Sequence, residues 1–129
     1  MKKVLILFGG NSHEHEISCM SVNFIKQHID INLFEYEIVG IDKKNNWYLI
    51  DKNFTINANW VNNKNTKINN IGEFLNKFDV VFPMIHGNTG EDGKIQSLLE
   101  LYNIKYVGCN SYSSFICYDK LLTKIFNVS

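Results

Sequence analysis

Val4-Leu5-Ile6-Leu7-Phe8-Gly9-Gly10-Asn11-Ser12 is the first strong signal in the chain. An unbroken apolar run closed by a glycine pair is the pattern of a β-strand covered on both faces and followed by a tight turn. The apolar run stops after five residues and lacks a small-residue cleavage site, so it does not read as a secretory leader. A helix is expected next: Ile17, Met20, Phe24, Ile25 and His28 recur at helical spacing. Asn11 or Ser12 can cap it, and Glu14 and Glu16 suit its positive end. Strand, glycine turn and helix together make the opening of an α/β unit.

Further along, Phe34 to Ile41 reads as a second strand beside the first, and Asp42 to Asn46 as a turn into a short returning strand, Trp47 to Ile50. From Asp51 to Asn70 the sequence is polar and asparagine-rich, a surface excursion anchored by Phe54, Ile56, Trp60, Val61 and Ile68. Gly72 to Lys77 predicts one or two helical turns, and Val80 to Ile85 another strand, with Pro83 near its end. After the loop His86 to Gly93, an amphipathic helix is marked by Ile95, Leu98, Leu99 and Tyr102, and a short strand by Lys105 to Val107. A last helix carries Tyr118, Leu121, Leu122, Ile125 and Phe126 on one face, and it reaches Ser129 without a Gly cap or turn signal. A longer protein is therefore expected, with residues 1–117 as an α/β domain and 118–129 as the start of a connection onward. The alternation predicts an open, mostly parallel sheet flanked by helices.

Composition narrows the function. The 129 residues hold thirteen basic and thirteen acidic side chains, and every basic one is lysine. A neutral chain without a guanidinium is a poor nucleic-acid binder, and no apolar stretch approaches the length of a membrane span. Cys19, Cys109 and Cys117 form an odd set without CxxC spacing, so reduced thiols are expected, as in a cytoplasm, rather than a disulfide framework or a zinc site.

In open α/β sheets, ligands gather at the carboxyl ends of the strands, where strand order reverses. Two loops are candidates: Gly9 to Glu16 after the first strand, and His86 to Gly93 after the strand ending at Ile85. If those strands run the same way, the loops share an edge. The glycine pair lacks the spacing of a dinucleotide fingerprint or a P-loop. Glu14 and Glu16 either complement the helix dipole, or one of them holds a substrate cation such as an amino group. His13, Glu14, His15 and Glu16 are too close in sequence to face one metal ion, so no metal site is expected there. His86 either polarises a substrate carbonyl or ties down its own turn. Glu91 and Asp92, between Gly90 and Gly93, fit a turn and helix cap better than a pair of catalytic acids.

Phe8 to Ser18 resembles the N-terminal signature of D-alanine-D-alanine ligases, GG-x-S-x-E-x-E-[IV]-S. His86-Gly87-Asn88-Thr89-Gly90-Glu91-Asp92-Gly93-Lys94-Ile95-Gln96 resembles the second signature, HG-x-x-GEDG-x-[IL]-Q, and Tyr118-Asp119-Lys120 the Asp-Lys pair at the entrance to the central domain. The resemblance implies a Rossmann-like pre-ATP-grasp domain. It also implies a cytoplasmic enzyme in which ATP phosphorylates the carboxylate of one D-alanine, and the amine of a second then attacks the acyl phosphate. The dipeptide serves peptidoglycan synthesis and hence cell shape.

By the same resemblance, Glu14 binds the ammonium of the first D-alanine, Ile17 packs near its methyl group and His86 sits beside the reacting carboxyl. Lys120 reaches the ATP phosphates, while Gly9, Gly10, Gly87, Gly90 and Gly93 shape the loops, supported by Ser18, Glu91, Asp92 and Gln96. ATP and magnesium, for which manganese can stand in, belong to the complete enzyme, which can be a homodimer; neither is expected bound tightly to these residues. Remaining ATP, metal and oxyanion groups lie in regions this sequence does not contain, so the 129 residues alone are expected to be inactive. A D-alanine-D-lactate ligase shares these motifs, and a stand-alone α/β binding module is the non-enzymatic alternative.

Overall fold

A computed structural model describes residues 1–9, 15–42, 44–53, 56, 60, 66–84, 91–108 and 114–126. The opening apolar run becomes strand β1 (Lys2–Gly9), and helix α1 (His15–His28) follows. Val4, Ile6 and Phe8 point into one hydrophobic layer while Leu5 and Leu7 point into the other, and all five are fully buried. Apolar residues at every position from Val4 to Phe8 are what a central strand covered on both faces requires.

Strand β2 (Phe34–Ile41) lies parallel to β1 from Lys2↔Phe34 to Gly9↔Ile41. Strand β3 (Trp47–Ile50) returns antiparallel to β2, and the two-residue β4 (Thr66–Lys67) pairs antiparallel with β3. After the short helix α2 (Ile71–Leu75), strand β5 (Val80–Pro83) pairs parallel with the other side of β1. The sheet order is β4-β3-β2-β1-β5. The expected open α/β sheet is present, with its parallel part at β2-β1-β5 and an antiparallel edge that the hairpin adds. The short strand expected at Lys105 to Val107 reduces to a single parallel bridge, Val81↔Tyr106.

Helix α3 (Glu91–Leu101) follows β5, and α4 (Ser114–Phe126) ends the described chain. Asn103, at φ 57°, terminates α3 in the left-handed region, and the Ile104 N–H reaches back to the Leu99 carbonyl at 2.8 Å, a Schellman closure. α1 and α4 pack on the face carrying Val22, Ile25, Cys117 and Leu121, whereas α2 and α3 cover the other with Leu75 and Leu99. α4 runs unbroken across the boundary drawn between residues 117 and 118, and Leu121 beyond it is buried with α1. His28, expected on the apolar face of α1, is exposed and stacks on Phe24 at 4.1 Å, and Ile29 just after the helix is buried instead.

Two of the anchors expected in the polar segment Asp51 to Asn70 are in the core, Ile56 at 3% exposed and Trp60 fully buried. One expectation needs correction. Cys117, expected as a free thiol, is disulfide-bonded. An odd cysteine count excludes complete pairing but leaves room for one pair, which a reducing compartment would hold as two thiols.

The β2–β3 turn is fastened by one carboxylate. Asp42 accepts the backbone N–H groups of Lys44 at 2.9 Å and Asn46 at 2.8 Å, and Asn45 adopts φ 66°. Burial pushes the Asp42 carboxyl up, but hydrogen bonds from Asn46, Lys44 and Tyr48 outweigh it and hold the group below its ordinary range. A pKa lowered in the fold adds stability above the unfolded value, about 3.9, and loses it as pH falls through the folded value. Asp42→Ala is therefore expected to flatten the fall in urea midpoint on acidification below about pH 4. An unchanged acid slope would remove Asp42 from that balance.

Candidate functional site

β1 and β5 are parallel neighbours, in register up to Leu7↔Pro83. β1 ends at Gly9, which is buried at φ 93°, a conformation that side chains with a Cβ rarely adopt. Just beyond β5, the Met84 N–H donates to the Leu7 carbonyl at 2.7 Å, so the two chains leave the sheet side by side. Segments 10–14 and 85–90 thus depart from adjacent strands, on the order of 5 Å apart.

The connections then diverge. From β1 the chain crosses through α1 to β2 on one side, and from β5 it crosses through α3 to the Tyr106 bridge on the other. α1 and α3 also cover opposite faces of the sheet. This is a topological switch point, and the region outside the carboxyl ends of β1 and β5 is where open α/β sheets take their ligands. Both helices begin at that edge, at His15 and Glu91, so their positive ends belong to it. Gly108, after the Tyr106 bridge, faces Gln96 of α3: a Cβ on Gly108 would lie 3.6 Å from the Gln96 Nε2.

Of the residues expected from sequence, Gly9 stands at the carboxyl end of β1. Glu14, His86, Gly10, Gly87 and Gly90 lie outside the described residues. Ile17 and Ser18 fall in the first turn of α1, and Glu91, Asp92 and Gly93 in the first turn of α3, with their side chains outside the description. The start of α3 at Glu91 agrees with the turn-and-cap reading of the Gly-Glu-Asp-Gly run. Lys120 is exposed on α4, an orientation that leaves its ammonium available to an anionic ligand.

A cavity of about 590 Å³ lies elsewhere, lined among others by Lys3, Glu35, Tyr36, Phe74 and Phe78. Lys3 and Glu35 belong to the amino-terminal starts of β1 and β2, so this hollow is at the opposite end from the two loops. Among the described residues, no group of three His, Cys, Asp or Glu side chains could hold a metal ion. No helix among them is long and apolar enough to cross a membrane. One residue near the carboxyl end of β2, Gly40, carried no motif in the sequence.

The family model described as D-ala D-ala ligase N-terminus matches residues 3–109. A D-alanine--D-alanine ligase of Thermoanaerobacter sp. (strain X514) is 42% identical over 95% of this chain and 38% of its own length. Its counterpart in Clostridium novyi (strain NT) is 41% identical over 95% of this chain and 37% of its own. Among solved structures, the VanG D-Ala:D-Ser ligase from Enterococcus faecalis superposes with a TM-score of 0.65 at 31% identity, over 99% of this chain and 43% of that one. The D-alanine-D-alanine ligase from Coxiella burnetii gives 0.61 at 33% identity, over 97% of this chain and 41% of that one. The chain spans about 38% of the length of the curated relatives it matches. A match of this reach, on a fold that brings the two signature loops to one edge, makes the chain a member of the D-Ala-D-Ala ligase N-terminus family.

Proposed function

We propose that this domain binds the first D-alanine of a cytoplasmic ligase that joins two D-alanines for peptidoglycan synthesis. The observation that carries the reading is the parallel pairing of β1 with β5, which starts the Glu14 and His86 loops from adjacent strands at a switch point. A small zwitterion needs an anion and a cation or dipole a few ångströms apart. Glu14 supplies the anion for the ammonium, and the flanking helix starts and His86 supply positive character for the carboxylate. Ile17, in the first turn of α1, is the residue of this chain assigned to the methyl group.

ATP is the co-substrate. Its terminal phosphoryl group passes to an oxygen of the first D-alanine carboxylate and ADP leaves; the amine of the second D-alanine then attacks the carbonyl carbon, and phosphate departs. Lys120 is the residue of this chain that fits the phosphates, as an exposed ammonium on α4. Magnesium and its carboxylate ligands belong to the rest of a complete ligase, where the metal neutralises phosphate charge. What this domain contributes is position: holding the electrophile in line supplies several kcal/mol of barrier lowering.

A ligase with a different second substrate is the other reading, supported by the likeness to a D-Ala:D-Ser ligase. Both readings share the first D-alanine. The native gene product, purified and weighed intact, is expected to release ADP in the presence of D-alanine and to yield D-alanyl-D-alanine by mass spectrometry. Release of ADP with a mixed dipeptide or depsipeptide instead selects the other reading, and a product with no D-alanine-dependent ADP release overturns both.

A further inference from the structure

Residues Asp51 to Asn70 look like polar filler, yet Ile56 and Trp60 connect the elements on either side of the Glu14 loop. The Trp60 indole stands edge-on to Phe8, with ring centroids 5.1 Å apart at 61°, and edge-on to Tyr48 at 6.1 Å and 68°. Phe8 pairs with Gly40, and Gly40 with Tyr48, so these three form one row across β1, β2 and β3. Gly40 leaves a notch in that row. A Cβ on it would come 2.6 Å from Trp60 Cη2 and 2.9 Å from Phe8 Cζ, so the indole and glycine fit only as a pair.

Ile56 is held from the other side. The Asn23 side chain donates to the Ile56 carbonyl at 2.6 Å and accepts the Ile56 N–H at 3.0 Å, a two-point clamp between α1 and this segment. Phe8 lies one residue before Gly9, where the first loop begins, and Asn23 lies on the helix into which that loop leads. The end of β1 and the body of α1 are thus both tied to the same short stretch of chain.

We propose that Trp60 is a positioning residue for the first-substrate loop: seated in the Gly40 notch and joined to α1 through Asn23 and Ile56, it fixes how β1 and α1 present Glu14 to the ammonium. The proposal rests on the reading of Glu14 as the ammonium ligand. Aromatic rings have few rotamers, so a buried indole transmits position with little slack.

The test is a double-mutant cycle in the ligase that includes residues 1–129. Trp60→Phe leaves the notch open, Gly40→Ala overfills it, and the two together refill it. Each single change is expected to raise the D-alanine KM about tenfold with kcat and the ATP KM within about twofold, and the double variant to recover most of the loss. A merely structural role would lower the amount of active enzyme, and so apparent kcat, at an unchanged D-alanine KM. That pattern, or additive losses without recovery, overturns the proposal. Should Gly40→Ala not fold, Asn23→Ser cuts the clamp without entering the notch, and a wild-type D-alanine KM in it and in Trp60→Phe has the same force. Glu14→Gln serves as the control: if it alone keeps the wild-type KM, the reading of Glu14 has failed, whereas a raised KM there beside normal ones in the others brings down only the brace.

Discussion

Glu14→Gln in the complete ligase is expected to lower kcat/KM for D-alanine about ten- to a hundredfold, through loss of a charge-assisted hydrogen bond worth roughly 1.5–3 kcal/mol at about 1.4 kcal/mol per decade. Glutamine keeps the size and hydrogen-bonding capacity of the side chain but gives up the charge that an ammonium needs. The start of α1 adds a reason for choosing this place: the positive end of a helix favours a carboxylate beside it. The loss should fall on D-alanine alone, with the KM for ATP unchanged, because the phosphates are met elsewhere. Steady-state kinetics with each substrate varied in turn checks this. A wild-type kcat/KM for D-alanine would reduce Glu14 to a partner of the helix dipole.

The parallel heart of the sheet and its site-bearing edge were legible because they rest on local signals. Val4 to Phe8 is apolar at every position, and Gly9 follows where the chain must take a positive φ. The shorter apolar runs Ile38 to Ile41 of β2 and Val80 to Pro83 of β5, with a helix after β1 and after β5, leave few topologies once right-handed crossovers are imposed. The adjacency of the two loops depended on one thing the sequence left conditional, the direction of β5 relative to β1, which the register Val4↔Val80 to Leu7↔Pro83 resolves.

What could not be read was tertiary. Gly40 sits in an ordinary strand pattern, and nothing near it in sequence announces that an indole twenty residues on will occupy its missing Cβ. Asn23 is one asparagine of many, and its clamp on Ile56 spans 33 residues. The Cys117 disulfide was missed for a related reason, since spacing along the chain says little about which thiols the packing of α4 brings within reach. Periodicity reports which face of an element is buried. It does not report which distant residue fills a particular gap.

Trp60→Ala in the 129-residue chain is expected to be the most damaging single truncation, costing about 3–5 kcal/mol against a total stability of roughly 5–15 for a domain of this size. The indole is fully buried and is among the largest side chains of the core. Its removal empties the space above Gly40, and glycine has no side chain with which to refill it. Phe8 and Tyr48 lose their edge-on partner together, and the segment beyond Ile56 loses its second anchor. Collapse of the cavity is resisted because Phe8 belongs to the central strand, paired on both sides by β2 and β5. Urea denaturation should show the midpoint falling by about a fifth or more of its wild-type value at similar slope, on the same arithmetic of cavity cost against total stability. A loss below about 1 kcal/mol would mean that Trp60 is packed far more loosely than its burial indicates, since even removal of one buried methylene approaches that cost.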